Sequence, residues 1–553
     1  MSHHRGPRTG RPPVLASRGI VSTPHYLASA SGLDALRRGG SAVDAAIAAN
    51  ATLCVAYPHM AGLGGDGFWL IAGPQVEGVQ AIDASGPAAA AATRDYYKDR
   101  GVTGKLPARG GLAALTTPGA VDGWRLAHER FGRLPWESLF DDAIEYARNG
   151  VGITRSLADW LATDVNILQQ DRRMAEVFLP DGRPQREGAL LVQAELAASL
   201  RHLARAGARE GFYEGEIAKR ICAGISPDGS PLTPEDFAAY QARWVDPVST
   251  RYRGHDVFQM PPSTQGFAAL QILNLLEGFD VQGWQEGSAD YYHHMVEAVK
   301  VAFADRDEWL SDPAWVDIPL NDLLSKTYAD GRRGLISSDR ALGLGELEPG
   351  IPSGQAGEKR SPGGDTVYLC AADSDGLVVS LIQSIYFDFG AAIMGGDTGI
   401  VMQNRGSFFS LDENHPNRLE PGKRTFHTLV PAMMLKDGKP VLAYGSMGGE
   451  GQPQTQAAIV TRLVDFDYDV QQAIEAPRWL IGRTWGAESH DLWLESRIPD
   501  ETVRELRLRG QPVKMVSQWD ATLGHAQVIR IDHVNRLYEG GADPRGDGTA
   551  LGY

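Results

Sequence analysis

The apolar positions of this chain follow two different periods. From Ser41 to Ala56 the run SAVDAAIAANATLCVA is apolar almost throughout and free of Gly and Pro. Ser41 and Asp44 have capping-box spacing, so this segment predicts a buried helix. GLGGDG at 62–67 then predicts a tight turn, and FWLIAG after it a strand. Residues 120–330 predict mostly helix, with Leu196–Gly207 and Tyr291–Leu310 as amphipathic stretches. Beyond residue 365 the period shortens. TVYLCAA and LVVSLIQ flank Asp373-Ser374-Asp375-Gly376, and TLVPAMML and PVLAYG flank Lys436-Asp437-Gly438-Lys439. Both pairs predict β-hairpins. Gly445-Ser446-Met447-Gly448-Gly449 closes the second hairpin, and PQTQAAIVTRLVDF predicts a further helix.

Between Gly343 and Gly364, ten of 22 residues are Gly or Pro, which predicts a mobile exposed linker. Residues 1–18 predict a flexible arm. The chain thus divides into an arm (1–18), a helix-rich portion (19–365) ending in the linker 343–365, and a strand-rich portion (366–553).

Composition narrows the function classes. Of 553 residues, 43% are hydrophobic and 22% charged, as expected of a globular chain. The formal charge of −16 disfavours nucleic-acid partners. No apolar run reaches the roughly 18 residues of a membrane span. The basic N-terminus lacks the apolar core of a secretory signal. Cys54, Cys222 and Cys370 are too few and too scattered for a disulfide framework. A cytoplasmic enzyme is the expectation.

Cofactor and metal signatures are missing. GLGGDG spells a dinucleotide fingerprint, but a helix precedes it and a strand follows, the reverse of what that site needs, so a structural turn is expected. His293 and His294 are adjacent on one helix and have no third ligand at metal spacing, which predicts packing roles. No phosphate-binding loop, H-E-x-x-H or C-x-x-C occurs. Neither a cofactor nor a metal is expected. One arrangement invites chemistry: the linker runs into Asp365-Thr366, where a strand begins. Cleavage before Thr366 would put an α-amine, with a reference pKa of about 7.7–8.0, on the residue that carries the hydroxyl. Taken alone, that pattern is better read as an ordinary β-branched strand residue.

Several ordered motifs resemble the γ-glutamyltransferase family of N-terminal-nucleophile hydrolases. Thr366-Val367-Tyr368-Leu369 before the D-x-D-G turn is similar to the family's T-T-H-[YF] nucleophile strand. GSMGG resembles its GSPGG, and Asp543-Pro544-Arg545 with Gly552-Tyr553 resembles its DPR…GY ending. AYPHMAGLGGDGFWLIAG, TPGAVDGW, PPSTQG, ADRDEWLSDP and EAPRW also have counterparts, so the likeness extends from about residue 19 to the end. The resemblance implies an α+β fold, a four-layer αββα sandwich built from one precursor. It implies cleavage between Asp365 and Thr366 into two interwoven chains, with Thr366 as nucleophile and Gly448 and Gly449 as oxyanion donors. Ser384 takes the place of a threonine that positions the nucleophile.

The substrate pocket departs from the family pattern. Ser85 stands where an arginine would grip a γ-glutamyl carboxylate, and Phe408 where an aspartate would hold the ammonium. Tyr386 replaces an asparagine, Arg405 a glutamine, and His427-Thr428 a Ser-Ser pair. The stretch from Ser410 to Lys423 is shorter than in members that carry a lid. D-T-V-Y-L and K-R-x-x-H-T-L-x-P-A-M resemble the amidohydrolase branch, whose activities include oxamate hydrolysis. The expectation is hydrolysis of a small anionic amide, with Arg405, His427, Thr428, Tyr386 and Ser85 around the substrate. γ-Glutamyl transfer or glutathione hydrolysis in an altered pocket, and a non-catalytic relic of the fold, are the alternatives. The expected partners are the amide and the two processed chains; a homo-oligomer is compatible with the sequence.

Overall fold

The computed structural model describes residues 10–344, 347–351, 365–482 and 489–553. Two seven-stranded sheets make its centre. The first runs, edge to edge, Val14–Ala16, Leu537–Ala542, Ala526–Asp532, Lys439–Ser446, Ala432–Lys436, His255–Gln259 and Val248–Tyr252. The second runs Thr549–Gly552, Ile20–Thr23, Asp365–Ala372, Val378–Tyr386, Asp66–Ala72, Gln80–Ala84 and Arg243–Val245.

Period-two alternation explains how these sheets stack. Along Asp365–Ala372, Tyr368, Cys370 and Ala372 pack into a core that also holds Met433, Ala443 and Ile529 of the first sheet. Val367, Leu369 and Ala371 turn the other way, into a core with Ala28, Ile47, Trp124 and Leu200 from helices. Ala432, Met434, Leu442 and Tyr444 of the first sheet likewise turn outward, against Leu270, Val296 and Val460 of a second helical layer. The order is therefore helix, sheet, sheet, helix, the αββα sandwich. Ala42–Ala56 is buried on every side because it lies between the second sheet and other helices. Ser41 and Asp44 close its capping box, as the spacing predicted.

Both predicted hairpins form: Asp365–Ala372 pairs antiparallel with Val378–Tyr386, and Ala432–Lys436 with Lys439–Ser446. Three expectations need correction. The arm does not extend through residue 18, since Val14–Ala16 is an edge strand paired with Leu537–Ala542. The stretch read as mostly helical contains the short strands Arg243–Val245, Val248–Tyr252 and His255–Gln259, whose many half-exposed positions dilute the apolar signal. Much of the linker 343–365 lies outside the described residues. Its described part is held in place: the Gly350 N–H donates to Asp305 (2.8 Å) and the Trp309 indole to the Ile351 carbonyl (2.7 Å). His293 and His294 are packing residues, one hydrogen-bonded to the Ser337 carbonyl (2.8 Å), the other stacked on Trp284. No helix among the described residues is long and apolar enough to cross a membrane.

Candidate active site

The candidate nucleophile begins an inner strand. Between the Asp365–Tyr386 and Val367–Gln383 pairs, one residue on the threonine strand faces two on its neighbour, so Ser384 and Ile385 bulge opposite Thr366. Ser384 in turn pairs with Asp66 on the next strand. Alternation puts Thr366, Ser384 and Asp66 on the inter-sheet face, at one end of the sandwich. Strands lie about 4.8 Å apart, so the backbones at Asp66 and Thr366 are roughly 10 Å apart across the sheet. Thr366 is fully buried, and its Oγ has no hydrogen-bond partner among the described residues. The Ser384 hydroxyl accepts from the Tyr386 N–H (2.8 Å) and braces the bulge that carries Tyr386.

The glycine cluster reaches this end from the opposite sheet. Gly445 sits so close to the Tyr368 ring that a Cβ there would lie 2.4 Å from it, and only glycine lets the sheets approach so nearly. Beyond Ser446 the chain turns through Gly448 (φ 122°) and Gly449 (φ 52°). The N–H groups of both residues donate to no acceptor among the described residues. Gln265 fixes the loop, donating to the carbonyls of Gly449 (3.0 Å) and Thr428 (2.9 Å).

A buried ion cluster braces the same loop. A Cβ on Gly448 would meet Gly524 Cα at 3.2 Å, and the Gly524 carbonyl accepts from Arg478 (2.7 Å). Asp543 bridges Arg478 (2.8 Å) and Arg545 (3.0 Å), and Arg545 also binds Glu495 (2.6 Å). Burial alone would raise the Asp543 pKa. The two guanidiniums overcome it and hold the carboxyl well below its usual range.

Arg405 dominates the remaining wall. It is fully buried, its Nη1 lies 3.4 Å from the Thr428 hydroxyl, and its Nε and Nη2 have no hydrogen-bond partner among the described residues. Its guanidinium covers the Tyr386 ring, and Phe408 packs at a tilt against Tyr386 and edge-on to Phe426. Burial pulls the Arg405 pKa down to about 10, so the group is a cation at neutral pH. His427 packs edge-on against Phe68, and neither ring nitrogen is hydrogen-bonded among the described residues. Burial and then Arg405 hold it far below the usual imidazole value, so it is neutral. Ser85 is the exception among the expected pocket residues: its hydroxyl donates to Asp83 (2.5 Å), and the residue meets the cluster only through its neighbour Gly86.

Asp66 is the residue that sequence reasoning missed, because GLGGDG reads as a turn. Its Oδ1 accepts from the N–H groups of Gly86 (3.1 Å) and Gly119 (3.0 Å), while its Oδ2, 3.5 Å from His427 Nε2, makes no hydrogen bond among the described residues. Burial raises its pKa to about 7, against the pull of Arg405. The available signal was a lone carboxylate at the head of an otherwise apolar strand. The assembled end of the sandwich thus offers a buried hydroxyl, two free backbone donors, a cation with spare donors and a carboxyl that titrates near neutrality. Such a set suits acyl transfer from an amide that carries negative charge.

Residues 28–553 match the family described as gamma-glutamyltranspeptidase. The chain is similar to the glutathione hydrolase-like YwrD proenzyme of Bacillus subtilis, with 46% identity over 98% of this chain and 99% of that protein. It is also similar to the oxamate amidohydrolase proenzyme of Klebsiella pneumoniae, with 41% identity over 98% of this chain and 99% of that protein. Among solved structures, a cephalosporin acylase from Bacillus halodurans superposes with a TM-score of 0.90 at 35% identity, covering 100% of this chain and 99% of that one.

Proposed function

This chain belongs to the gamma-glutamyltranspeptidase family of N-terminal-nucleophile hydrolases, which act on C–N amide bonds, and we propose that it is a self-processing amidohydrolase for a small anionic amide such as oxamate. Processing starts when Thr366 Oγ attacks the Asp365 carbonyl carbon. The peptide becomes an ester, and water opens it to give chains 1–365 and 366–553. The new α-amine of Thr366 then takes the hydroxyl proton as the oxygen attacks the substrate amide. The N–H groups of Gly448 and Gly449 receive the developing oxyanion; one such donor is worth about 2.7–4 kcal/mol. The amine returns the proton to the leaving nitrogen, ammonia departs, and water releases the acid from the acyl-enzyme.

The observation that carries the substrate reading is Arg405, fully buried with two unpartnered nitrogens. A buried guanidinium in this state favours a carboxylate able to take both donors. Thr428 steadies one edge of Arg405, Tyr386 and Phe408 close the pocket over a compact ligand, and Ser384 keeps Tyr386 in place. Ser85, whose hydroxyl turns toward Asp83, makes no substrate contact in this reading. The γ-glutamyl alternative draws support from Asp66, whose free Oδ2 offers an ammonium an acidic partner, and from the relative named glutathione hydrolase-like. Against it stands Phe408, where the family's ammonium-binding aspartate would be. Three buried cysteines, all free, support a reducing compartment, which we take to be the cytoplasm.

The test is a parallel assay of the processed protein with oxamate, following ammonia, and with a γ-glutamyl anilide, following the released amine. Faster turnover of oxamate supports the proposal; turnover of the anilide alone overturns it.

A further inference from the structure

Asp66 and Arg405 are groups of opposite charge type buried at the same end of the sandwich, yet among the described residues no ion pair joins them, and Asp66 Oδ2 and Arg405 Nε and Nη2 make no hydrogen bond. Orphaned buried polar atoms are costly, and a set of them converging from several segments marks a place shaped for a ligand. We propose that Asp66 is a specificity-determining residue that reads the substrate's charge: in its protonated form, Oδ2–H donates to the carboxylate held by Arg405, so an anionic amide enters together with one proton. This rests on the small-anionic-amide reading.

The surroundings fix the sign. Arg405 and Gln403 face Asp66 from one segment and His427 from the next, with the Tyr213 and Tyr240 hydroxyls behind. Burial keeps both tyrosines protonated. His427 is neutral, held so by burial, Arg405 and Arg424. Arg405 and Asp66 therefore set the local charge. Below about pH 7 Asp66 is neutral, the pocket carries the Arg405 charge alone, and an anion cancels it. Above that pH Asp66 is ionised and already balances Arg405, so an incoming anion must bring a proton or meet a second carboxylate. Affinity for an anion falls as pH rises; for a zwitterion whose ammonium meets Asp66, it rises. After processing, the Thr366 α-amine titrates too, as the proton carrier of the chemical step, so the reaction is read through KM and binding rather than kcat.

The test compares processed wild type with Asp66→Asn. Asparagine keeps an oxygen for Gly86 and Gly119 and places a permanent donor where Oδ2–H stands. Oxalate, which cannot be hydrolysed, is titrated calorimetrically in buffers of different ionisation enthalpy, and the KM of oxamate is measured over the same pH range. In wild type, oxalate binding should take up close to one proton at alkaline pH, and KM should rise toward tenfold per unit above about pH 7. In Asp66→Asn both effects should vanish. Absence of proton uptake in the wild type, or an unchanged KM slope in the variant, overturns the role of Asp66. If oxalate binds with proton uptake but oxamate is not hydrolysed, Asp66 keeps its role and the substrate reading fails. If oxamate is hydrolysed without uptake, the reverse holds.

Discussion

The guanidinium of Arg405 lies over the ring of Tyr386, 4.4 Å from its centroid, with both side chains buried. Tyr386 takes this place because it sits past a bulge with φ of 83°, a conformation uncommon for a bulky residue. The ring steadies the cation without occupying its donors, as a cation–π contact does. Arg405→Gln removes the charge and should raise KM for an anionic amide about 10- to 100-fold, from charge-assisted hydrogen bonds worth about 1.5–3 kcal/mol, with kcat much less affected. Tyr386→Phe keeps the ring and should stay close to wild type. Steady-state kinetics on the processed variants checks both.

Gly448 and Gly449 have backbone angles that side chains resist. Alanine at either position should swing the N–H groups away from the oxyanion. The expected loss is about 10²–10³ in kcat for the processed fraction, with little change in KM. A melting temperature close to wild type shows that the loss is catalytic.

Asp543 is expected to matter for stability first. Asp543→Asn leaves Arg478 and half of the Arg545 pairing uncompensated in the interior, at a cost of about 3–5 kcal/mol. The sign with pH follows from a carboxyl whose folded pKa is depressed. Its contribution is complete above the unfolded value of about 3.9 and is lost as pH falls toward the folded one. Denaturant melts at neutral and acid pH should show a large gap between wild type and variant at neutrality that narrows in acid.

What the sequence disclosed and what it hid have physical causes. The two hairpins and the capped helix at Ala42–Ala56 rest on neighbours in sequence, so local pattern exposed them. The glycine loop was visible because backbone angles such as those of Gly448 and Gly449 leave a compositional mark. The strands Arg243–Val245 and Val248–Tyr252 lie at sheet edges and His255–Gln259 next to one, and their half-exposed positions weaken the apolar signal. The meeting of Asp66 with Arg405 and His427 is a product of topology alone, since three distant segments converge there. Composition could not reveal it, nor could it show that the Ser85 hydroxyl turns to Asp83.

Processing is the premise of the whole mechanism, because without a free α-amine Thr366 has no base on its own residue. The direct measurement is intact mass and N-terminal sequencing of the purified protein, wild type beside Thr366→Ala. Wild type should give two chains, the smaller beginning Thr-Val-Tyr-Leu, while Thr366→Ala should remain one chain of 59.8 kDa. A wild-type protein that stays whole, or a small chain that begins at any residue other than Thr366, would contradict it.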